Sequence, residues 1–156
     1  MNPRFRSVGE RILLTLWVGG MWSVGFVAVP TLFSVLDDRH LAGTLAGHIL
    51  TAMSYMGFAC GGLLLIMALA RTGGGWLRSP RVWTLIVMLA IIVVGEYVLA
   101  PMIIELRATG LVKGTPAAAE FARIHGIAST LFLINSLLGL GLVAFGAGAE
   151  SRDGDG

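Results

Sequence analysis

VWTLIVMLAIIVVGEYVLAPMII, residues 82–104, is apolar almost throughout, and Glu96 is its one charged residue. The run is continuous rather than alternating, so it does not read as a half-exposed strand or a barrel strand. As a helix rising about 1.5 Å per residue, it is long enough to cross a hydrocarbon core about 30 Å thick. Three further runs of the same kind flank it, at about 12–36, 45–70 and 121–148. The breaks between them have physical causes. Asp37-Asp38-Arg39-His40 places charge at the first exit. Arg71-Thr72-Gly73-Gly74-Gly75 and Ser79-Pro80-Arg81 stop the second helix and restart the third, and Gly110, Lys113, Gly114 and Pro116 mark the third break. The expected fold class is therefore all-α: a four-helix transmembrane bundle, one domain over 1–149, with a polar C-terminal tail at 150–156.

Composition agrees. Of 156 residues, 56% are hydrophobic and 13% charged, against about 25% charged in soluble domains, and the mean hydropathy is +0.84. A soluble globule, a disordered chain and a nucleic-acid-binding module are excluded. The lipid bilayer is the implied partner. Arg4, Arg6 and Arg11 before the first run resemble a signal-peptide start, but that run continues to Leu36 without a small-residue cleavage site, so a retained first span is expected. Lys and Arg counts set the orientation. Seven (Arg4, Arg6, Arg11, Arg71, Arg78, Arg81, Arg152) fall on one side and four (Arg39, Arg107, Lys113, Arg123) on the other. This bias expects both termini and the middle loop in the cytoplasm of a multi-pass inner-membrane protein. Trp76 and Trp83 flank the middle loop as interfacial anchors.

The chain holds 22 glycines. Gly19-x3-Ser23, Gly43-x3-Gly47 and Gly57-x3-Gly61 have the small-residue spacing that lets membrane helices approach closely. Gly139, Gly141, Gly146 and Gly148 crowd the last span. Packing within one chain is the plainer expectation; a homo-oligomer face is the sharper one. The first and third spans also share a local pattern. Gly25-Phe26-Val27-Ala28-Val29-Pro30 and Gly95-Glu96-Tyr97-Val98-Leu99-Ala100-Pro101 each place an aromatic-Val pair shortly before a proline. Each is followed by a loop and a helix that begins with His beside Gly, Gly47-His48 and His125-Gly126. Two similar helical hairpins are one reading of this, as in membrane folds built of parallel repeats.

Polar residues inside spans are costly and are functional candidates by default. Glu96 is the one acid well inside a span, about 12 Å below its outer end. His48 and His125 stand near the outer starts of the second and fourth spans, Ser129 one turn beyond His125, and Asn135 near mid-membrane. Pro30 and Pro101 each free a carbonyl one turn back and shape the helix. These groups are expected to converge in the outer leaflet as a candidate polar pocket of Glu96, His125, His48, Arg107, Ser129 and Asn135. Within it, His125, His48 and Glu96 are candidate metal ligands. Each has a plain alternative: Glu96 as a neutral or paired acid tying helices together, the histidines as interfacial residues, and Asn135 as an interhelical hydrogen bond. Arg107 or Arg123 folding onto Glu96 is a further option. Met53, Tyr55 and Met56 would suit a soft metal's path, though methionine in apolar spans is ordinarily packing. Cys60, the single cysteine, lies in an apolar run and excludes an intrachain disulfide. The sequence has no Cys-x-x-Cys, His-Glu-x-x-His, Gly-x-Ser-x-Gly or phosphate loop, so catalysis by a known motif is unsupported.

Two stretches resemble a known family. Trp17-Val18-Gly19-Gly20 with Phe26-Val27-Ala28-Val29-Pro30-Thr31-Leu32-Phe33 is one, and Pro101, Arg107, Phe121-Ala122-Arg123-Ile124-His125-Gly126-Ile127-Ala128-Ser129 and Asn135 form the other. Together they are similar to the transmembrane protein 205-like family, whose bacterial branch is a domain of unknown function. The resemblance runs roughly over 11–145 and implies a four-helix membrane protein. An animal member is associated with resistance to a platinum drug, which implies metal or drug handling. Weaker likenesses reach the copper-resistance D type of inner-membrane protein and the four-helix haem protein that oxidises protoporphyrinogen. The chain lacks the Met/His cluster of the first and a lysine within its spans for the second. Three functions stay open: binding or movement of a metal ion or small solute through the outer-leaflet pocket, a structural or assembly subunit of a membrane complex, and a haem-bound redox enzyme. A metal ion or haem fits the sequence without being required by it.

Overall fold

The computed structural model describes residues 3–112 and 114–146, without the side chains of residues 3–6, Gly73 and Gly146. The expected 150–156 tail and Gly148 lie outside the described residues. Among the described residues the chain is helical with no strand: α1 (Pro3–Ser23), α2 (Val29–Val35), α3 (Arg39–Thr72), α4 (Pro80–Val94), α5 (Ala100–Ala108) and α6 (Pro116–Gly146). A π turn at Val24–Ala28 joins α1 to α2, and another at Gly95–Leu99 joins α4 to α5, so these pairs run on as single spans. Four apolar helices long enough to cross a bilayer result: Ser7–Val35, Arg39–Thr72, Pro80–Ala108 and Pro116–Phe145.

These helices outrun the apolar runs at most of their ends. The second begins at Arg39 rather than 45, and the fourth at Pro116 rather than 121. Hydropathy marks only the hydrocarbon part, whereas helix ends are set by caps. Asp38 Oδ1 accepts from the backbone N–H of His40 (2.8 Å) and Leu41 (3.1 Å), satisfying first-turn donors of α3. Thr115 Oγ1 accepts from Ala118 N–H at 3.3 Å, and Pro116 opens α6 where its missing N–H costs nothing. The third helix closes at Thr109, followed by Gly110 at φ +77°, the left-handed geometry in which glycine meets no Cβ penalty. The middle connection is a 3-10 turn, Gly73–Arg78.

The helices pack in a cycle. α1 lies against α3 and α6, and α4 lies against the same two. Trp17, Val18, Met21, Leu64, Leu85 and Met88 fill the centre. Trp17 is fully buried, and glycines make its seat. A Cβ on Gly57 would stand 2.9 Å from Trp17 Nε1 and 2.7 Å from Ile92 Cδ1. One on Gly61 would stand 2.8 Å from both the Trp17 ring and Leu89 Cδ2. The Gly57-x3-Gly61 spacing therefore serves packing within the chain. Gly139 does the same beside Val18 and Met88. By contrast, nothing lies within 4 Å of a Cβ placed on Gly19, Gly47 or Gly141. Between 17% and 28% of the residues in the most apolar windows are buried, so most of the apolar surface faces outward, as suits a lipid bilayer.

Candidate functional site

The two proline-proximal patterns fold alike. In the first span the N–H of Val29, the residue before Pro30, donates to the carbonyl of Val24. In the third, the N–H of Ala100, before Pro101, donates to the carbonyl of Gly95. Both are five-residue steps. Proline brings no N–H to continue the regular ladder, and the turn before it widens. The shared sequence pattern thus has a shared backbone counterpart, at similar distances from the middle-loop end of the bundle. Counting from Arg81, Glu96 lies about 22 Å along its helix.

Glu96 sits in the second π turn, half-buried. Among the described residues it has no hydrogen-bond or ion-pair partner. Arg107 takes a different place: its guanidinium lies against Gly43, 3.1 Å from where a Cβ would stand, and 5.8 Å above the Phe121 ring. It links α5 to α3 and α6 through a cation–π contact and the gap that glycine leaves. His48 is exposed, and its Nδ1 lies 2.9 Å from the Thr44 carbonyl of its own helix. His125 is exposed and stacks on Phe121, ring centroids 5.7 Å apart. Ser129 is exposed as well, as are Pro30 and Pro101. Asn135 is buried, 3% exposed. Its Nδ2 donates to Met21 Sδ at 3.6 Å, tying α6 to α1, while its Oδ1 and Trp22 Nε1 have no partner.

Of the candidate residues, Arg107 and His125 thus share the Phe121 ring. His48 and His125 are exposed, Arg107 is half-buried between Gly43 and Phe121, and Asn135 lies in the core. Among the described residues no group of three His, Cys, Asp or Glu is placed to hold a metal ion. Met53 and Met56 pack against Gly20, Tyr55 is exposed, and Cys60 is buried in the core. The reason is geometric: depth along a helix does not set the direction in which a side chain points, and depth was all the sequence could supply.

A polar cluster missed in the sequence lies at the opposite end. Glu10 is 6% exposed. Its Oε2 accepts from Arg81 Nη2 at 2.9 Å, and both its oxygens lie 3.4 Å from Arg71 Nη1. With Ala68, Thr72 and Ser79 these three line a cavity of about 200 Å³. The cluster joins α1, α3 and α4. In the sequence Arg71 and Arg81 bear only on topology, and Glu10 lies just outside the first apolar run. One signal was available: on the arginine-rich side Glu10 is the sole acid before the tail.

Residues 12–111 match the family described as "Domain of unknown function (DUF4149)". The chain belongs to this family. The matched region takes in most of the first span and all of the second and third, with Glu96, Arg107, Pro30 and Pro101. α6, and with it His125, Ser129 and Asn135, lies beyond it. No curated protein and no solved structure matches the chain. A family of unknown function and four membrane-length helices together fit a multi-pass membrane protein, with no activity attached.

Proposed function

We propose that this protein binds a small cationic solute in the outer half of its bundle, with Glu96 as the charged group. One observation carries the reading: a half-buried carboxylate well inside a span, on a π turn, with no partner among the described residues. An acid at that depth is costly when charged, and a bound cation or proton offsets the cost. Wide helical turns recur at functional positions because they re-aim side chains. His48 and His125 would join Glu96 around a metal only after side chains moved, so an organic or monovalent cation suits the arrangement better. The likeness to the transmembrane protein 205-like family belongs to the same reading, as do an inner-membrane location and cytoplasmic termini.

The test is a thermal-shift screen of protein purified in mild detergent against monovalent, divalent and small organic cations, with elemental analysis and an absorption spectrum on the same sample. At least one cation raises the melting temperature of the wild type and not of Glu96→Gln. No shift with any cation, or equal shifts in both proteins, refutes the reading. A Soret band would redirect attention to haem.

A second reading, an assembly subunit or homo-oligomer, has its own support. Gly19, Gly47 and Gly126 leave open space where a Cβ would stand, although glycine within a helix costs about 0.8–1.0 kcal/mol against alanine. Native mass spectrometry showing only monomer would count against self-association.

A further inference from the structure

A second cavity, of about 630 Å³, opens between α4 and α6. It is lined by Arg81 and Thr84 on α4 and by Leu137, Gly141, Leu142 and Phe145 on α6. Arg81 also lines the smaller cavity with Glu10 and Arg71. The two spaces therefore share Arg81, the first lined with charged and polar side chains and the second mostly with apolar ones. The volume lies in the range of built ligand sites, about 300–1,000 Å³. Gly141 helps form the groove, since no atom lies within 4 Å of its missing Cβ.

Charge around Arg81 is unbalanced. Arg71 and Arg81 bring two positive charges against the one negative charge of Glu10. Only Nη2 of Arg81 is engaged by Glu10, and the two arginine side chains remain 53% and 31% exposed. A guanidinium has five donors, and the remaining ones suit a phosphate. Two tryptophans lie close in sequence to Arg81, as at a headgroup level. Trp76 and Trp83 face each other with ring centroids 6.3 Å apart, and Trp83 Nε1 donates to the Leu77 carbonyl at 3.0 Å, a position typical of interfacial tryptophan.

We propose that this groove is a binding site for an anionic phospholipid, its phosphate against Arg81 and Arg71 and one acyl chain lying between α4 and α6. Basic recesses between membrane helices select such headgroups through charge, and the apolar groove supplies what a free anion would not use. The site lies at the end of the bundle opposite Glu96, so its fate is separable from the cation reading.

Native mass spectrometry of the full chain in mild detergent tests this, with phosphatidylglycerol, phosphatidylcholine or inorganic phosphate added. Phosphatidylglycerol is retained about fivefold or more over phosphatidylcholine, and Arg81→Gln removes that preference. Gly141→Leu fills the groove, leaves Glu10 and both arginines in place, and lowers phosphatidylglycerol retention. Arg71→Gln supplies a second charge variant should Arg81→Gln fail to fold, and circular dichroism checks helicity for each protein. Equal retention of the two lipids overturns the proposal. So does phosphate binding that Gly141→Leu leaves unchanged while no lipid is held, which makes the site one for a free anion. A dimer that Gly141→Leu abolishes, again without retained lipid, makes the groove an interface between copies and overturns it too.

Discussion

Glu10 shows how much a single charge decides at the residue scale. It is the common partner of two arginines from two other helices. Removing it leaves those cations facing each other across a cavity without a counter-charge. Glu10→Gln should lower stability by about 2 kcal/mol, allowing for the partial exposure of both arginines, and denaturant titration in mixed micelles reads it. Arg71→Gln should cost less, because its contact is longer and its side chain more exposed. Glu96 is the reverse case. Its depth was legible from its place in residues 82–104, but its lack of a partner among the described residues was not, since no sequence pattern says where Arg107 will turn. That guanidinium goes to Gly43 and Phe121 because glycine leaves room for it and an aromatic face attracts it.

At the scale of elements, glycine has two meanings that sequence spacing does not separate. Gly57 and Gly61 seat Trp17; Gly19 and Gly47, in motifs of the same spacing, touch nothing within 4 Å. Gly61→Ala should therefore destabilise by about 1–3 kcal/mol, as overpacked cores do. Gly47→Ala should leave the monomer unharmed or stabilise it by up to about 1 kcal/mol. The same micelle titration compares them. The π turns give another prediction. Backbone amides across Val24–Ala28 and Gly95–Leu99 sit in widened turns beside prolines that contribute no N–H. Hydrogen–deuterium exchange in detergent should be faster there than in α1 or α4 at equal depth. Uniform protection along each span would show that these turns are as tight as their neighbours. The paired patterns before Pro30 and Pro101 were visible in sequence; that both would become π turns was not, because proline alone is equally compatible with a simple kink.

At the scale of the whole molecule, an up-down order of four spans puts the N-terminal end and Gly73–Arg78 at one end, and Asp37-Asp38 and Gly110 at the other. In a Cys60→Ser background, cysteines introduced at Gly74 and at Asp37 should label from opposite sides with a membrane-impermeant maleimide. Labelling of both from one side would break the arrangement. The fold class and the number of spans followed from sequence alone, because a bilayer forces every buried backbone group into a helix about as long as the membrane is thick. Helix ends were legible only in part, since caps such as Asp38 and Thr115 act beyond the apolar runs. What tertiary structure alone decided is which polar residues meet. Hydropathy fixes depth along the membrane normal, whereas the rotation of each helix about its own axis is set by packing. Trp17 in its glycine seat holds α1 against α3, and Glu10 reaches Arg71 and Arg81, while His48 and His125 remain on the exterior.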